Sequence, residues 1–241
     1  MYKLYLGDCI EIMQDLIKQD IKVDAVIADP PYGKTACKWD SVIPFESMWD
    51  CLHKITKDNG AIVLFGSEPF SSALRMSNIK HYKYDWIWEK SIPTGCMSAK
   101  RQPMKNHEVI SVFYKKQPTY NPIMEERSKN SHSIGNGGKY TSKSEHFELE
   151  VILKEKSEKR YPTTVKFFNN VSRHKSLHPT QKPIALIEYL IKTYTNEGET
   201  VLDFTMGSGS TGVACKNTKR NFIGIELKEN YFKVAKERIE V

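Results

Sequence analysis

At 241 residues the chain has room for one α/β domain with an inserted segment, or for two small domains. Its five cysteines (Cys9, Cys37, Cys51, Cys96, Cys215) are scattered, odd in number and never spaced C-x-x-C, and its seven histidines lack ligand spacing. This excludes a disulfide framework and a zinc site as organising features and fits reduced thiols. No run of 18 apolar residues and no signal-peptide pattern occurs, so a cytoplasmic protein without a membrane partner is expected, and a net charge of +7 points to a polyanionic partner.

In chain order, Lys3 to Asp8 reads as a strand closed by Gly7-Asp8. Ile10, Met13 and Leu16 or Ile17 then recur at helical spacing as far as Gln19. Val23 to Ala28 is a short apolar run, the pattern of a strand buried on both faces. A loop from Gly33 to Ile43 follows. Phe45, Met48, Trp49, Leu52 and Ile55 form the apolar face of a helix expected to stop at Asn59-Gly60. Ala61 to Phe65 is another buried strand, Glu68 to Asn78 a short helix, and Tyr82 to Lys90 and Val109 to Tyr114 two more strands.

From Lys115 the texture turns polar. Residues 115–177 hold 13 Lys and Arg against 7 Asp and Glu, which is +6 of the net +7. Such a segment is either a solvated insertion or a nucleic-acid-binding lobe, and its interleaved aromatics (Tyr120, Tyr140, Phe147, Tyr161, Phe167, Phe168) argue against wholesale disorder. The α/β texture then resumes with a helix on Ile184, Ile187, Leu190 and Tyr194. A strand at Val201-Leu202, a glycine turn, a helix, the strand Asn221 to Glu226 and a last helix on Tyr231, Val234, Ala235 and Ile239 complete the chain.

Two places in this order carry chemistry. At Asp29-Pro30-Pro31-Tyr32 two prolines end the buried strand, because neither can donate to a sheet ladder. Asp29 is left at the strand's C-terminal edge, where open α/β sheets place their ligands. Pro30 and Pro31 keep carbonyls and lack N–H groups, so the corner is rich in acceptors, and Tyr32 caps it with a flat ring. This suits an amino group on a planar heterocycle. The second place is residues 203–226, a strand, a glycine turn, a helix and a strand ending in Glu226. Glycines there let backbone approach a ligand, and the terminal acid can accept the ribose hydroxyls of an adenosine-type cofactor. Gly207, Gly209 and Gly212 also spell G-x-G-x-x-G, so an NAD-dependent oxidoreductase is the chief rival.

The tetrapeptide resembles the Asp-Pro-Pro-Tyr motif of amino-group DNA methyltransferases, which methylate adenine N6 or cytosine N4. Asp203-Phe204-Thr205-Met206-Gly207-Ser208-Gly209-Ser210-Thr211 resembles their S-adenosylmethionine loop, usually D-P-F-x-G-x-G-T, although no proline follows Asp203 and Ser210 precedes the threonine. His178-Pro179-Thr180-Gln181-Lys182-Pro183 looks like their segment against the cofactor's methionine end. Asn106-His107-Glu108-Val109-Ile110 matches the segment before the strand that ends the catalytic half, and Gly7-Asp8 matches a short acidic motif near the adenosine site. The dehydrogenase reading leaves the tetrapeptide and the basic segment without a role, and its second half-sheet without room.

The motif order, catalytic first and glycine loop last, is similar to the circularly permuted beta group. The resemblance implies a Rossmann-like α/β sheet flanked by helices. Its parts would be a catalytic half (1–114), a target-recognition insertion (115–177) and a cofactor half (178–241). It implies Asp29, Pro30, Pro31 and Tyr32 as catalytic residues. Cofactor contacts would come from Asp8, Asp29, His178, Thr180 and Lys182, with Asp203, Phe204, Gly207, Gly209, Ser210, Thr211 and Glu226 from the C-terminal unit. The expected cofactor is S-adenosylmethionine, and the expected substrate is a base flipped out of double-stranded DNA. The leading Asp favours adenine N6, with cytosine N4 the alternative. No Pro-Cys dipeptide exists for a cytosine-C5 nucleophile. RNA as substrate, an inactive DNA-binding module, a homodimer and a cognate restriction endonuclease stay open.

Overall fold

The computed structural model describes residues 1–33, 41–126, 138–144, 147–153, 159–172 and 181–240. Most of the expected Gly33–Ile43 loop, including Cys37, lies outside the described residues, as do His178 and Thr180. Two compact units emerge, one of residues 1–121 with 164–241 and one of residues 122–163.

The larger unit is built on an eight-stranded sheet. In chain order its elements are β1 (Tyr2–Leu6), α1 (Cys9–Lys18), β2 (Val23–Ala28), α2 (Phe45–Ile55), β3 (Thr56–Gly66), α3 (Phe70–Met76), β4 (Tyr82–Thr94) and β5 (Lys105–Phe113). The smaller unit holds β6 (Glu125–Glu126), β7 (Gly138–Ser144), β8 (Phe147–Leu153) and β9 (Lys159–Arg160), with β6 paired to β9 and β7 to β8, all antiparallel. The larger unit resumes with β10 (Val165–Phe168), α4 (Ile184–Tyr194), β11 (Thr200–Asp203), α5 (Ser210–Asn217), β12 (Asn221–Glu226) and α6 (Glu229–Glu240).

Strand order is β1-β12-β11-β2-β3-β5-β4-β10, and only β5 runs against the rest. Side chains on β2 alternate between faces as a period of two requires. Val26 and Ala28 pack with Met13, Leu16, Met48 and Leu52 of α1 and α2, whereas Ile27 packs with Leu186, Ile187, Leu190 and Ile191 of α4. Helices thus cover both faces, the α/β architecture that a near-continuous apolar strand demands. The order reverses between β11 and β2, so the C-terminal ends of these neighbours flank a topological switch point. No helix among the described residues is long and apolar enough to cross a membrane.

Three local expectations change. Helix α2 ends at Ile55, not at Asn59-Gly60, because Thr56 already pairs with Val23 and residues 57–60 form an irregularity before Ala61 meets Ala25. A Cβ on Gly60 would lie 2.5 Å from Thr56 Cγ2 and 2.7 Å from the Asp24 carbonyl, so this glycine serves close strand approach and not a helix cap. Strands β4 and β5 extend well past Lys90 and before Val109, making a long hairpin. Finally, residues 164–172 of the polar segment belong to the larger unit, where β10 pairs in parallel with β4 and Phe168 accepts the Trp88 indole N–H at 2.9 Å.

Candidate active site

A cleft of about 300 Å³ opens at the C-terminal ends of β1, β2, β11 and β12, within the size range of small-molecule sites. The fold brings most of the expected residues to it. Asp8, Asp29, Pro30, Pro31, Tyr32, Lys182, Asp203, Phe204, Gly207, Ser210, Thr211 and Glu226 all line it. Gly209 does not. Its φ of +78° starts α5, and a Cβ there would sit 2.9 Å from Ala235 Cβ, so it fits α5 against α6.

Asp29 extends from β2 with both carboxylate oxygens engaged. The Tyr32 hydroxyl donates to Oδ1 and the Lys182 ammonium donates to Oδ2. Lys182 is buried, 3.4 Å from Glu108 Oε2 on β5, and Glu108 in turn pairs with Lys90 on β4. Two carboxylates and two ammoniums therefore form one chain of alternating charge ending at the cleft. Burial pushes the Asp29 carboxyl up and Lys182 pulls against it, while Glu108 adds to the upward push. Burial alone would pull the Lys182 ammonium down, but the Asp29 and Glu108 carboxylates outweigh it and raise it above its ordinary value. For Glu108 the order is the same: burial pushes up, and the two lysines win and hold it low. The Tyr32 ring is braced by Phe70, with centroids 5.0 Å apart.

The resemblance assigned Lys182 to a cofactor's methionine end; it lines the cleft and contacts Asp29. Glu108 and Lys90 were not singled out as site residues. Glu108 stands in the Asn106-His107-Glu108 segment, but its partners lie 18 and 74 residues away and nothing local announces them.

The other side of the cleft is held from within its own loop. Asp203 Oδ1 accepts from the Thr205 N–H at 3.1 Å and Oδ2 from the Thr211 hydroxyl at 2.6 Å, and burial pushes its carboxyl up to about 7. Glu226, at the end of β12, accepts from Gly207 N–H (2.9 Å) and Lys228 N–H (2.8 Å), and burial raises it against these bonds. Asp8 caps α1, its Oδ1 accepting from Ile10 and Glu11 N–H. Phe204 is buried among Leu202, Ile223 and Ile225, so it forms a wall of the cleft. The hydroxyls of Thr205 and Ser210 are buried here without a hydrogen-bond partner among the described residues. No group of three metal-ligating side chains occurs among the described residues.

Known proteins are similar to this chain along most of its length. The Type II methyltransferase M.HpaI of Haemophilus parainfluenzae is 27% identical over 262 residues, covering 99% of this chain and 74% of its own length. M1.MboII of Moraxella bovis is 29% identical over 255 residues, covering 97% and 94%. The crystal structure of the M1.HpyAVI–SAM complex superposes with a TM-score of 0.67 at 31% identity, covering both chains completely. A family model described as DNA methylase, of the N6/N4 methyltransferases, matches residues 23–237. The chain belongs to that family of DNA methylases.

Proposed function

We propose that the chain transfers a methyl group from S-adenosylmethionine to the exocyclic N6 amine of adenine in double-stranded DNA. The observation that carries this reading is the acceptor corner, an Asp29 carboxylate beside two prolines on the wall of the cleft. When bound, S-adenosylmethionine would supply an electrophilic sulfonium methyl; its transfer to nitrogen leaves a neutral thioether, and the proton released from the methylated amine passes to the adjacent Asp29 carboxylate and on to water.

The residues present fit that cofactor. The partnerless hydroxyls of Thr205 and Ser210 are buried polar atoms of the kind a ligand satisfies. Glu226 accepts the Gly207 and Lys228 N–H groups on its two oxygens and has acceptor capacity left for a ribose hydroxyl. The M1.HpyAVI–SAM complex adds a cofactor-bound relative at 31% identity.

Exocyclic amines are poor nucleophiles because their lone pair is delocalised into the ring. Asp29 and the Pro30 carbonyl accept hydrogen bonds from the amine's two N–H groups, turn the nitrogen towards tetrahedral geometry and free that pair. Positioning of this kind contributes roughly 7–11 kcal/mol to such reactions. A base inside a duplex cannot present its amine so, and the flipped base stacks on Tyr32. Target recognition falls to the segment 115–177, with its compact part at 122–163. The leading Asp of the tetrapeptide favours adenine.

The test is direct. Incubation with unmethylated DNA and labelled S-adenosylmethionine, followed by digestion to nucleosides, is expected to put label on N6-methyladenine. N4-methylcytosine overturns the base assignment and keeps the acceptor corner. Absence of label from DNA overturns the reading.

A further inference from the structure

The hairpin of β4 and β5 runs past the sheet at the edge where Asp29 stands. Gly66, the last residue of β3, pairs with Val109, so residues 105–108 of β5 and their partners on β4 project beyond the C-terminal end of β3. Asp29 follows Ala28, which pairs with Leu64 of that same strand. The hairpin's root is held firmly. Lys105 donates to Ser67 Oγ at 2.6 Å, and Lys90 with Glu108 joins the charge chain that ends at Asp29. Asn170, just after β10, accepts from the Ser91 hydroxyl (3.2 Å) and the Ile92 N–H (3.1 Å) and donates its own N–H to Ser91 Oγ (3.1 Å).

Beyond this root the arm is bare. Residues 90–107 contain Lys90, Lys100, Arg101 and Lys105 and no acidic residue. Lys90 and Lys105 are engaged at the root, whereas Lys100 and Arg101 are exposed and make no ion pair among the described residues. Met97 is 100% exposed at the turn, and Ile92 and Met104 are exposed beside it. Gly95, with φ +89°, opens the 3-10 turn Cys96–Ser98 that carries Met97.

The basic segment that composition singles out looks different in three dimensions. Its compact part, residues 122–163, holds 8 Lys and Arg against 7 Asp and Glu. Of the flanking lysines, Lys115 and Lys116 pair with Asp58, and Lys166 is buried over the Trp86 and Tyr189 rings. Among the described residues, Lys100 and Arg101 on the arm are therefore exposed cations that no carboxylate pairs, as is Lys228 at the cleft.

We infer that the arm 91–104 is a DNA-gripping surface, with Lys100 and Arg101 on backbone phosphates and Met97 entering the stack vacated by the flipped nucleotide. This rests on the DNA reading above. Phosphate contacts need exposed cations without competing acids. A gap in a base stack is apolar, and methionine is among the side chains that proteins wedge between bases. An apolar side chain held wholly in water gains by such burial.

The test measures binding to duplex DNA as salt is varied, and methyl transfer to duplex DNA and to the same DNA denatured. Lys100→Ala with Arg101→Ala is expected to flatten the slope of log affinity against log salt by about 1.8, at roughly 0.9 per phosphate contact. Met97→Ala is expected to slow methylation of duplex several-fold and to leave the single strand unaffected, since only the duplex must be opened. Both substitutions are at exposed positions, and circular dichroism with Arg101→Gln as a milder variant separates misfolding from lost contacts. An unchanged salt slope in folded variants overturns the arm, as does an equal effect of Met97→Ala on both DNA forms. If the wild-type protein binds DNA with a salt slope that the double variant flattens, and labels none of that DNA, the proposed function fails and the phosphate contacts stand.

Discussion

Asp29 and Asp203 end neighbouring parallel strands, with Val26 of β2 in register with Leu202 of β11. Both carboxyls are pushed up by burial, and both have two engaged oxygens. The partners differ in kind. Asp203 is held by a backbone N–H two residues on and by a hydroxyl on the first turn of α5, so its bonds shape the glycine loop. Asp29 is held by a tyrosine hydroxyl and by the end of a lysine stem 153 residues distant. Both Asp29 donors are side chains that can yield to a ligand, whereas the Thr205 N–H bond to Asp203 cannot open without moving the loop backbone. On the proposed function Asp29 is the acid that does chemistry and Asp203 the one that holds the loop, although both are buried acids at the C-terminal ends of neighbouring strands.

The largest test of that contrast is Asp29→Ala. Methyl transfer is expected to fall roughly 10²–10⁴-fold, the usual worth of a positioned acid or base, with cofactor affinity by calorimetry near wild type. Near-normal turnover would break the comparison from the chemical side.

Next come Lys182 and Glu108. Asp29 faces Tyr32, Lys182 and Glu108, with Asp203 farther off, and only Lys182 favours its ionised form by charge. Lys182→Met is therefore expected to move the acidic limb of the pH–rate profile to higher pH. Glu108→Gln removes a like charge and is expected to move it to lower pH, and the double variant to fall between. Shifts of the same sign in both single variants would mean that the pair only supports the fold.

A smaller effect is expected at Glu226. Glu226→Ala is expected to weaken S-adenosylmethionine binding by roughly 1–3 kcal/mol, the range for hydrogen bonds to a charged group. Unchanged affinity by calorimetry would make Glu226 a loop anchor like Asp203.

The smallest effect concerns stability at Asp203. Its folded carboxyl titrates near 7 against an ordinary value of 3.8, so the folded chain holds a proton that the unfolded chain has lost between these values. The stability this contributes is complete below the ordinary value and is lost as pH rises through about 7. Asp203→Asn lacks that loss, and its Tm relative to wild type is expected to improve from pH 5 to pH 8. Parallel pH dependence of the two Tm values would show that burial costs this acid nothing.

Much of this was legible from local pattern alone. The apolar run Val23–Ala28 must be buried on both faces, two prolines must end it, and an acid in that place must stand at the ligand edge. The glycine turn before Glu226 follows by the same reasoning, because strand, turn and helix are set by neighbours a few residues apart. Other features resisted. In β10, Val165 and Phe167 face solvent while Lys166 is buried over two aromatic rings, so the usual hydrophobic alternation reads backwards and a polar segment hides a sheet strand. The arm's charge is modest beside that of residues 115–177, and its exposure stands out only beside the paired Lys115 and Lys116 and the buried Lys166.

Local pattern places each acid at the end of a buried strand, and the sheet order β11-β2 then brings both strand ends to one cleft. The charged partners of Asp29 come from tertiary structure alone. Lys90, Glu108 and Lys182 are separated by 18 and 74 residues, and only strand pairing and the return of the chain before α4 bring their charges within contact of one another and of Asp29. Charge pairing acts through space over a few ångströms, and sequence separation carries no record of that distance.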